Sequence, residues 1–298
     1  MKEFDFTFMS VNSIPYAKRI TVYVVEPDTI QPDTGLLHCC HGWGGNRFQH
    51  KELMHEFCNQ YNLLCIGTEF RQSGYDFDPV TGLGSDRPYD GSHYQVIDCL
   101  NAVRETLHLY PFLNRNRLLL YGGSQGGHIT ILMSIFAPDT FAYAISSSGV
   151  AYFEQRQIEG AGRSFSPDEL AIRDTIRMAS LIRCPVGLIH GTADRTVPVE
   201  HSKKLEAALR AKSSKEIRAT YYEGADHGLV PVIEKKKAVR ALADDLLRTA
   251  THEGSDDFSQ GRKISIPCET KNLLIDWSKG SSDPSLLLWE EKKIKPVI

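Results

Sequence analysis

The sequence predicts an α/β fold: a mainly parallel sheet with helices on both faces, entered through an antiparallel N-terminal hairpin. Three observations carry this. From Leu36 onward, short apolar runs of strand character alternate with amphipathic helical stretches, as in a parallel sheet covered on both sides. Before that point, Phe4, Phe6 and Phe8 alternate with Glu3, Asp5 and Thr7 at the period of a half-buried strand. Between these patterns and the end of the chain, the apolar run Leu118-Leu119-Leu120-Tyr121 passes directly into Gly122-Gly123-Ser124-Gln125-Gly126-Gly127-His128. A helical face of Ile129, Leu132, Met133 and Phe136 follows at once, so strand, tight turn and helix adjoin around one serine.

The elements follow in order. Residues 12–16 read as a turn and Arg19 to Val25 as the returning strand of the hairpin. Leu36 to His41 is the first buried strand, Met54, Phe57, Cys58 and Tyr61 share a helical face, and Leu63 to Thr68 is the next strand. A long polar loop runs to about Ser92; Val96, Leu100, Val103 and Leu107 then mark a helix that Pro111 ends. After the serine turn and its helix, Phe141 to Ser146 is a strand. Strand alternation pauses over residues 150–184, read as a small cap insertion. There Ser166-Pro167-Asp168-Glu169 is a helix start with a capping box. Val186 to Ile189 resumes the sheet, Val199 to Leu209 is a helix and Ile217 to Tyr222 a last strand. Val239, Leu242 and Leu246 lie on a closing helix whose Lys235-Lys236-Lys237 run reads as a solvated face. Residues 1–250 are thus one α/β domain. Residues 251–298 form a linker, to Gly261, and a C-terminal extension of short apolar pieces. Its run Leu286-Leu287-Leu288-Trp289 is expected to pack against the body or a second subunit, giving a possible homo-oligomer.

At 298 residues the chain is long enough for a large core, and 41% hydrophobic with 24% charged residues is ordinary for a globular protein. A formal net charge of -3 gives no electrostatic case for nucleic acid or an anionic membrane as partner. The start Met1-Lys2-Glu3-Phe4-Asp5 lacks the pattern of a signal peptide, and a cytoplasmic location is expected, although a chain trimmed of a leader would read the same. None of the seven cysteines falls in a Cys-x-x-Cys pair, so no zinc or redox motif is read. Cys39, Cys40 and Cys65 read as small hydrophobes within strands.

The chemistry is expected at the carboxyl ends of the strands, where such sheets place their sites. Ser124 sits there; so does Asp194, in His190-Gly191-Thr192-Ala193-Asp194-Arg195-Thr196-Val197-Pro198, and His227, in Glu223-Gly224-Ala225-Asp226-His227-Gly228. A serine hydroxyl needs a base to take its proton, and the base needs a carboxylate to fix its tautomer. The chain order Ser124, Asp194, His227 is that of an α/β-hydrolase. Asp194 is preferred to Asp226, whose side chain should diverge from that of its neighbour His227, and to Glu223. After the first buried strand, His41-Gly42-Trp43-Gly44-Gly45 stands where a second oxyanion donor belongs, and the backbone N–H groups of Trp43 and Gln125 are the candidates. The alternative is a glycine-rich turn with Trp43 filling an apolar gap. His41, His128 and His190 read as structural histidines.

The runs Gly122 to Gly127, His190 to Pro198 and Ala225 to Gly228 resemble the catalytic signatures of the prolyl-oligopeptidase-like branch of the α/β-hydrolases, which includes acetyl esterases and dienelactone-hydrolase-like enzymes. More loosely, Phe70-Arg71-Gln72-Ser73-Gly74-Tyr75 resembles the arginine-and-glycine loop of those enzymes. The similarity spans roughly residues 36–250. The stretch before Leu36 is too short for the propeller of the large peptidases in the branch. The reading is a serine hydrolase cleaving a small-molecule carboxylic ester through an acyl-enzyme, with no cofactor or metal. The loop 72–92 and the insertion are expected to cover the site, with Tyr75, Tyr89, Tyr152 and Phe153 as candidate pocket walls. A small peptidase or amidase with the same triad, and a binding protein that keeps the fold without turnover, are the alternatives.

Overall fold

The computed structural model describes residues 1–12, 17–71, 91–212 and 215–292. Eight strands form one sheet in the order β1-β2-β4-β3-β5-β6-β7-β8. β1 (Lys2–Ser10) and β2 (Lys18–Glu26) are the antiparallel hairpin, and β2 joins β4 (Leu63–Glu69) antiparallel. The remaining pairings are all parallel: β4 with β3 (Gly35–Cys40), β3 with β5 (Leu118–Gly123), then β6 (Tyr143–Ser147), β7 (Val186–Gly191) and β8 (Ile217–Tyr222). β3 to β7 are buried throughout, which explains why they read as continuous apolar runs while β1 alternates.

Helices cover both faces. On one, α2 (His93–Leu109), α3 (Gln125–Phe136) and α6 (Glu200–Lys212) pack over Leu118, Leu120, Ala144 and Leu188. On the other, α1 (Lys51–Gln60) and α7 (Lys235–Thr249) pack over Leu119, Tyr121, Ile145 and Ile189. The alternation of β5 residues between the two clusters is the strand period expressed as packing. The helix ends follow their local chemistry: Ser92 accepts from the Gln95 N–H at 3.4 Å to open α2. The insertion holds α4 (Gln155–Gly160) and α5 (Pro167–Ala171), and α5 starts with the expected box, Ser166 and Glu169 bonding reciprocally at 3.2 and 2.9 Å. The lysine run differs from expectation. Lys236 and Lys237 pair with Glu56 and Glu234, but Lys235 is half-buried and turns its ammonium toward Gly123.

Beyond α7, residues 251–261 differ from the expected linker. Asp256 and Asp257 are buried, and Asp257 accepts from the Asp139 N–H at 2.8 Å and the Thr140 hydroxyl at 3.0 Å. The stretch is polar because its carboxylates meet donors on the body. The apolar pieces after it are strands of a second sheet, β11-β10-β9, built from β9 (Lys263–Pro267), β10 (Lys271–Asp276) and β11 (Leu287–Glu291). Ile266, Leu273, Ile275 and Leu286 of this part join the core on the α2–α3 face. Trp277, buried against Phe258, donates from Nε1 to the Phe136 carbonyl at the end of α3, at 3.1 Å. Trp277→Ala is expected to cost about 3–5 kcal/mol in urea unfolding, by cavity and lost hydrogen bond. A change below about 1 kcal/mol would mean the sheet contributes little to the body.

Candidate active site

β5 ends at Gly123 and α3 begins at Gln125, leaving Ser124 between them at φ 59° and ψ −123°. A residue with a side chain rarely takes a positive φ, and such strain gathers at functional sites. The Ser124 N–H donates to the Ser147 carbonyl at 2.8 Å, and its carbonyl accepts from the His128 N–H at 3.2 Å. The flanking glycines follow from contact. A Cβ on Gly126 would lie 2.1 Å from the Cys40 carbonyl oxygen, and one on Gly122 would lie 2.2 Å from the Gly126 oxygen. Gln125 is the first residue of α3, so its N–H is among the donors the helix cannot satisfy itself, at the positive end of the dipole.

The carboxylate side is built by the turn after β7. Asp194 Oδ1 accepts from the Thr196 and Val197 N–H groups at 2.8 and 2.9 Å. Asp194 Oδ2 accepts from His227 Nδ1 at 2.7 Å and from His190 Nε2 at 3.1 Å. Burial opposes ionisation of this carboxyl, but the hydrogen bonds from His190, His227 and the Val197 backbone hold it well below the usual carboxylate range. Asp226 does not reach the imidazole. Its Oδ1 closes its own turn, accepting from the Gly228 and Val230 N–H groups at 2.7 and 2.9 Å, while Glu223 is exposed. Among the described residues the His227 ring is hydrogen-bonded to Asp194 and not to Ser124.

His190 was expected to be structural and is buried, yet it touches the acid. Its Nε2 faces two acceptors, Asp194 Oδ2 and the Val197 carbonyl at 2.9 Å, so Nε2 carries the proton. Nδ1 is then free to accept from the Ser202 hydroxyl at 2.7 Å. No spacing in the sequence announces this contact, because it depends on how the chain turns back after β7. The other two histidines are held neutral. His41 stacks on Phe70 at 3.9 Å and donates from Nδ1 to the Gly42 carbonyl, and burial lowers its pKa to about 3. His128 donates to the Val150 carbonyl at 3.0 Å, and burial likewise lowers it to about 3.

The loop after β3 packs on the serine. A Cβ on Gly42 would lie 3.4 Å from Ser124 Cβ, and the Gly42 N–H is fixed by Gln49 Oε1 at 2.8 Å. Trp43 follows, 43% exposed, and its ring faces Gly160 at the end of α4. The insertion thereby touches the Trp43 loop. It also touches the acid loop, because Arg156 donates to the Arg195 and Thr196 carbonyls at 2.9 and 3.0 Å. Of the expected pocket walls, Tyr75 and Tyr89 lie outside the described residues. Phe153 is wedged against His128 and Phe165. Tyr152 is engaged elsewhere: its hydroxyl bonds Glu154 and Lys204, both at 2.7 Å, and its ring tilts over His201. Arg71, of the expected arginine-and-glycine stretch, is buried and forms a two-pronged pair with Asp98 at 2.7 Å on each arm. A cavity of 810 Å³ lies between the starts of α1 and α7, lined by Phe48, His50, Tyr121 and Lys235 among others, and not by Ser124, Asp194 or His227.

With this geometry in place, comparison with known proteins decides the family. Residues 89–251 match the model of the prolyl oligopeptidase family. The chain belongs to that family. It is therefore related to serine-type hydrolases with the α/β-hydrolase fold. It is 29% identical over 157 residues to the uncharacterized peptidase YtmA of Bacillus subtilis, covering 49% of this chain and 60% of that protein. It is 26% identical over 198 residues to the acylamino-acid-releasing enzyme of Sus scrofa, covering 59% of this chain and 26% of that enzyme. Among solved structures, an acylaminoacyl peptidase in complex with Z-Gly-Gly-Phe-chloromethyl ketone superposes with a TM-score of 0.69 at 17% identity, over 85% of this chain and 42% of that one. A puromycin-hydrolyzing peptidase of Mycobacterium tuberculosis superposes with a TM-score of 0.60 at 22% identity, over 76% of this chain and 36% of that one. The chain thus spans between 26% and 60% of the length of these relatives. No helix among the described residues is long and apolar enough to cross a membrane.

Two outcomes are expected from this geometry. Asp194→Asn should lower turnover by up to about four orders of magnitude while leaving the far-UV spectrum unchanged, and Asp226→Asn should lower it by less than about tenfold. Steady-state rates of the two variants on one substrate check the ranking. The second outcome concerns acid. His41, His93 and His128 are lowered to about 3 and His50 to about 4, in each case first by burial. Below their ordinary range near 6.5 the unfolded chain binds protons that the folded chain refuses, so stability must fall as pH falls. Urea unfolding at pH 7 and pH 5 should differ by at least about 2 kcal/mol, the lower pH being the less stable.

Proposed function

We propose that the chain is a serine hydrolase that transfers an acyl group through Ser124, and that its substrates are short peptides or N-acylated amino acid derivatives. Ser124 Oγ attacks the carbonyl carbon while His227 takes its proton, and the N–H groups of Gln125 and Trp43 receive the charge that develops on the carbonyl oxygen. His227 then gives the proton to the departing amine. Water, deprotonated by the same imidazole, releases the acyl group and regenerates the serine. Asp194 keeps Nδ1 of His227 protonated so that the other ring nitrogen faces the serine, and it balances the imidazolium while it lasts.

The observation that carries the reading is the 2.7 Å contact of His227 Nδ1 with a buried Asp194, taken with a serine in the strained turn between β5 and α3. The names of the relatives favour an amide bond over the carboxylic ester read from the sequence. Ester cleavage remains the second reading, since the same acyl-enzyme forms from either bond and esters have the better leaving group.

Aminoacyl and N-acylaminoacyl anilides, short peptides, and aryl and alkyl esters of matched acyl groups should be compared on one preparation. Measurable kcat/KM on the anilides or peptides is expected, together with hydrolysis of activated esters. Turnover of esters alone would reverse the order of the two readings. Ser124→Ala should keep the melting temperature within a few degrees and lower every such activity by at least about 10⁴-fold. It should also abolish labelling by a fluorophosphonate probe; retention of either signal would assign the nucleophile elsewhere.

A further inference from the structure

One buried cluster of ligand-type side chains has no part in the chemistry above. His38 and Cys40, two apart on β3, face the same side of the sheet, where they meet Cys99 of α2 and Met133 of α3. One donor atom each of His38, Cys40 and Cys99 lies within 4.8 Å of the other two. Cys40 Sγ is 3.3 Å from His38 Nδ1 and 3.6 Å from Met133 Sδ. All four side chains are fully buried. The far nitrogen of His38, Nε2, lies 2.7 Å from the Thr68 hydroxyl, which orients the ring with Nδ1 toward the sulfurs. Metal-bound histidines are commonly held by an outer hydrogen bond of this kind.

We propose that His38, Cys40 and Cys99 form a closed structural zinc(II) site, with the Met133 thioether as the fourth contact. The spacing is close to what the ion needs. Sulfur at about 2.3 Å and nitrogen at about 2.1 Å from zinc, in a tetrahedron, stand about 3.6 Å apart. Sulfur donors with an imidazole select zinc or copper(I) among the common ions. Charge decides between them. Two thiolates cancel a divalent ion and leave a neutral site, whereas a monovalent ion would leave a net negative charge buried in the core. Binding releases the two thiol protons. Because the cluster is closed to solvent, the ion enters as the chain folds. Once bound, it ties the end of β3, which leads into the Trp43 loop, to α2 and α3. Cys40 and Cys99 belong to no short motif, so spacing in the sequence does not announce the site.

The full chain is unfolded and refolded with one equivalent of zinc or with chelator, then desalted. About one zinc per chain is expected in the first preparation, with a melting temperature higher by about 5 °C or more. Refolding in cobalt(II) should give a thiolate-to-cobalt charge-transfer band and the visible bands of a tetrahedral ion. Cys99→Ser should weaken those bands and lose the zinc, whereas Cys58→Ser, on the opposite face of the sheet, should change neither. If Cys99→Ser does not fold, the cobalt spectrum of the unaltered chain decides alone. Absence of retained zinc and of the cobalt bands overturns the proposal. So does zinc retained undiminished by folded Cys99→Ser, or a Cys40–Cys99 disulfide as the only product of refolding in zinc.

Discussion

The contact on which the structure depends is the one between α3 and the end of β3, where Gly126 lies against the Cys40 carbonyl. It brings the serine turn and the Trp43 loop together with no side chain between them. Everything catalytic in the proposal follows from that closeness. In the proposed reaction the helix start would deliver one N–H and the loop another, and Ser124 between β5 and α3 takes the positive φ that the tight turn requires. The buried faces on either side resist relaxation of the turn, since α3 is packed all round and β5 is buried along its whole length. The acid loop is rigid for a different reason. Asp194 accepts four hydrogen bonds, two from backbone and two from imidazoles, so the carboxylate is fixed before any substrate arrives.

Much of this was legible in the sequence because it is local. Periodicity gave the strands and helices of the main sheet to within a few residues, and the serine turn announces itself by a strand run, glycines and a helix face. The choice of Asp194 over Asp226 followed from the divergence of adjacent side chains, and the geometry has Asp226 capping its own turn. What was not legible depends on contacts between distant segments. The bond from His190 to Asp194 needs the shape of the loop after β7, which no spacing rule supplies. The meeting of Cys40 with Cys99 depends on how α2 is rotated over the sheet. The second sheet was missed because its strands are five or six residues long and its partners antiparallel, so each reads as an isolated apolar scrap. The polarity of residues 251–261 suggested solvent, yet Asp256 and Asp257 are buried against donors of the body.

The insertion between β6 and β7 is attached at both ends of its span. Arg156 and Gly160 join it to the acid loop and to Trp43. Asp168 joins it to the second sheet, accepting from the Thr270 N–H and hydroxyl at 2.7 and 2.6 Å and from the Lys271 N–H at 3.1 Å. Arg177 adds a bond to the Cys268 carbonyl at 2.9 Å. The second sheet is thus a buttress: it bears on the segment that touches the Trp43 and Asp194 loops. A change at residues 268–271 would therefore be felt at the Trp43 and Asp194 loops through the insertion, without altering either loop's own sequence.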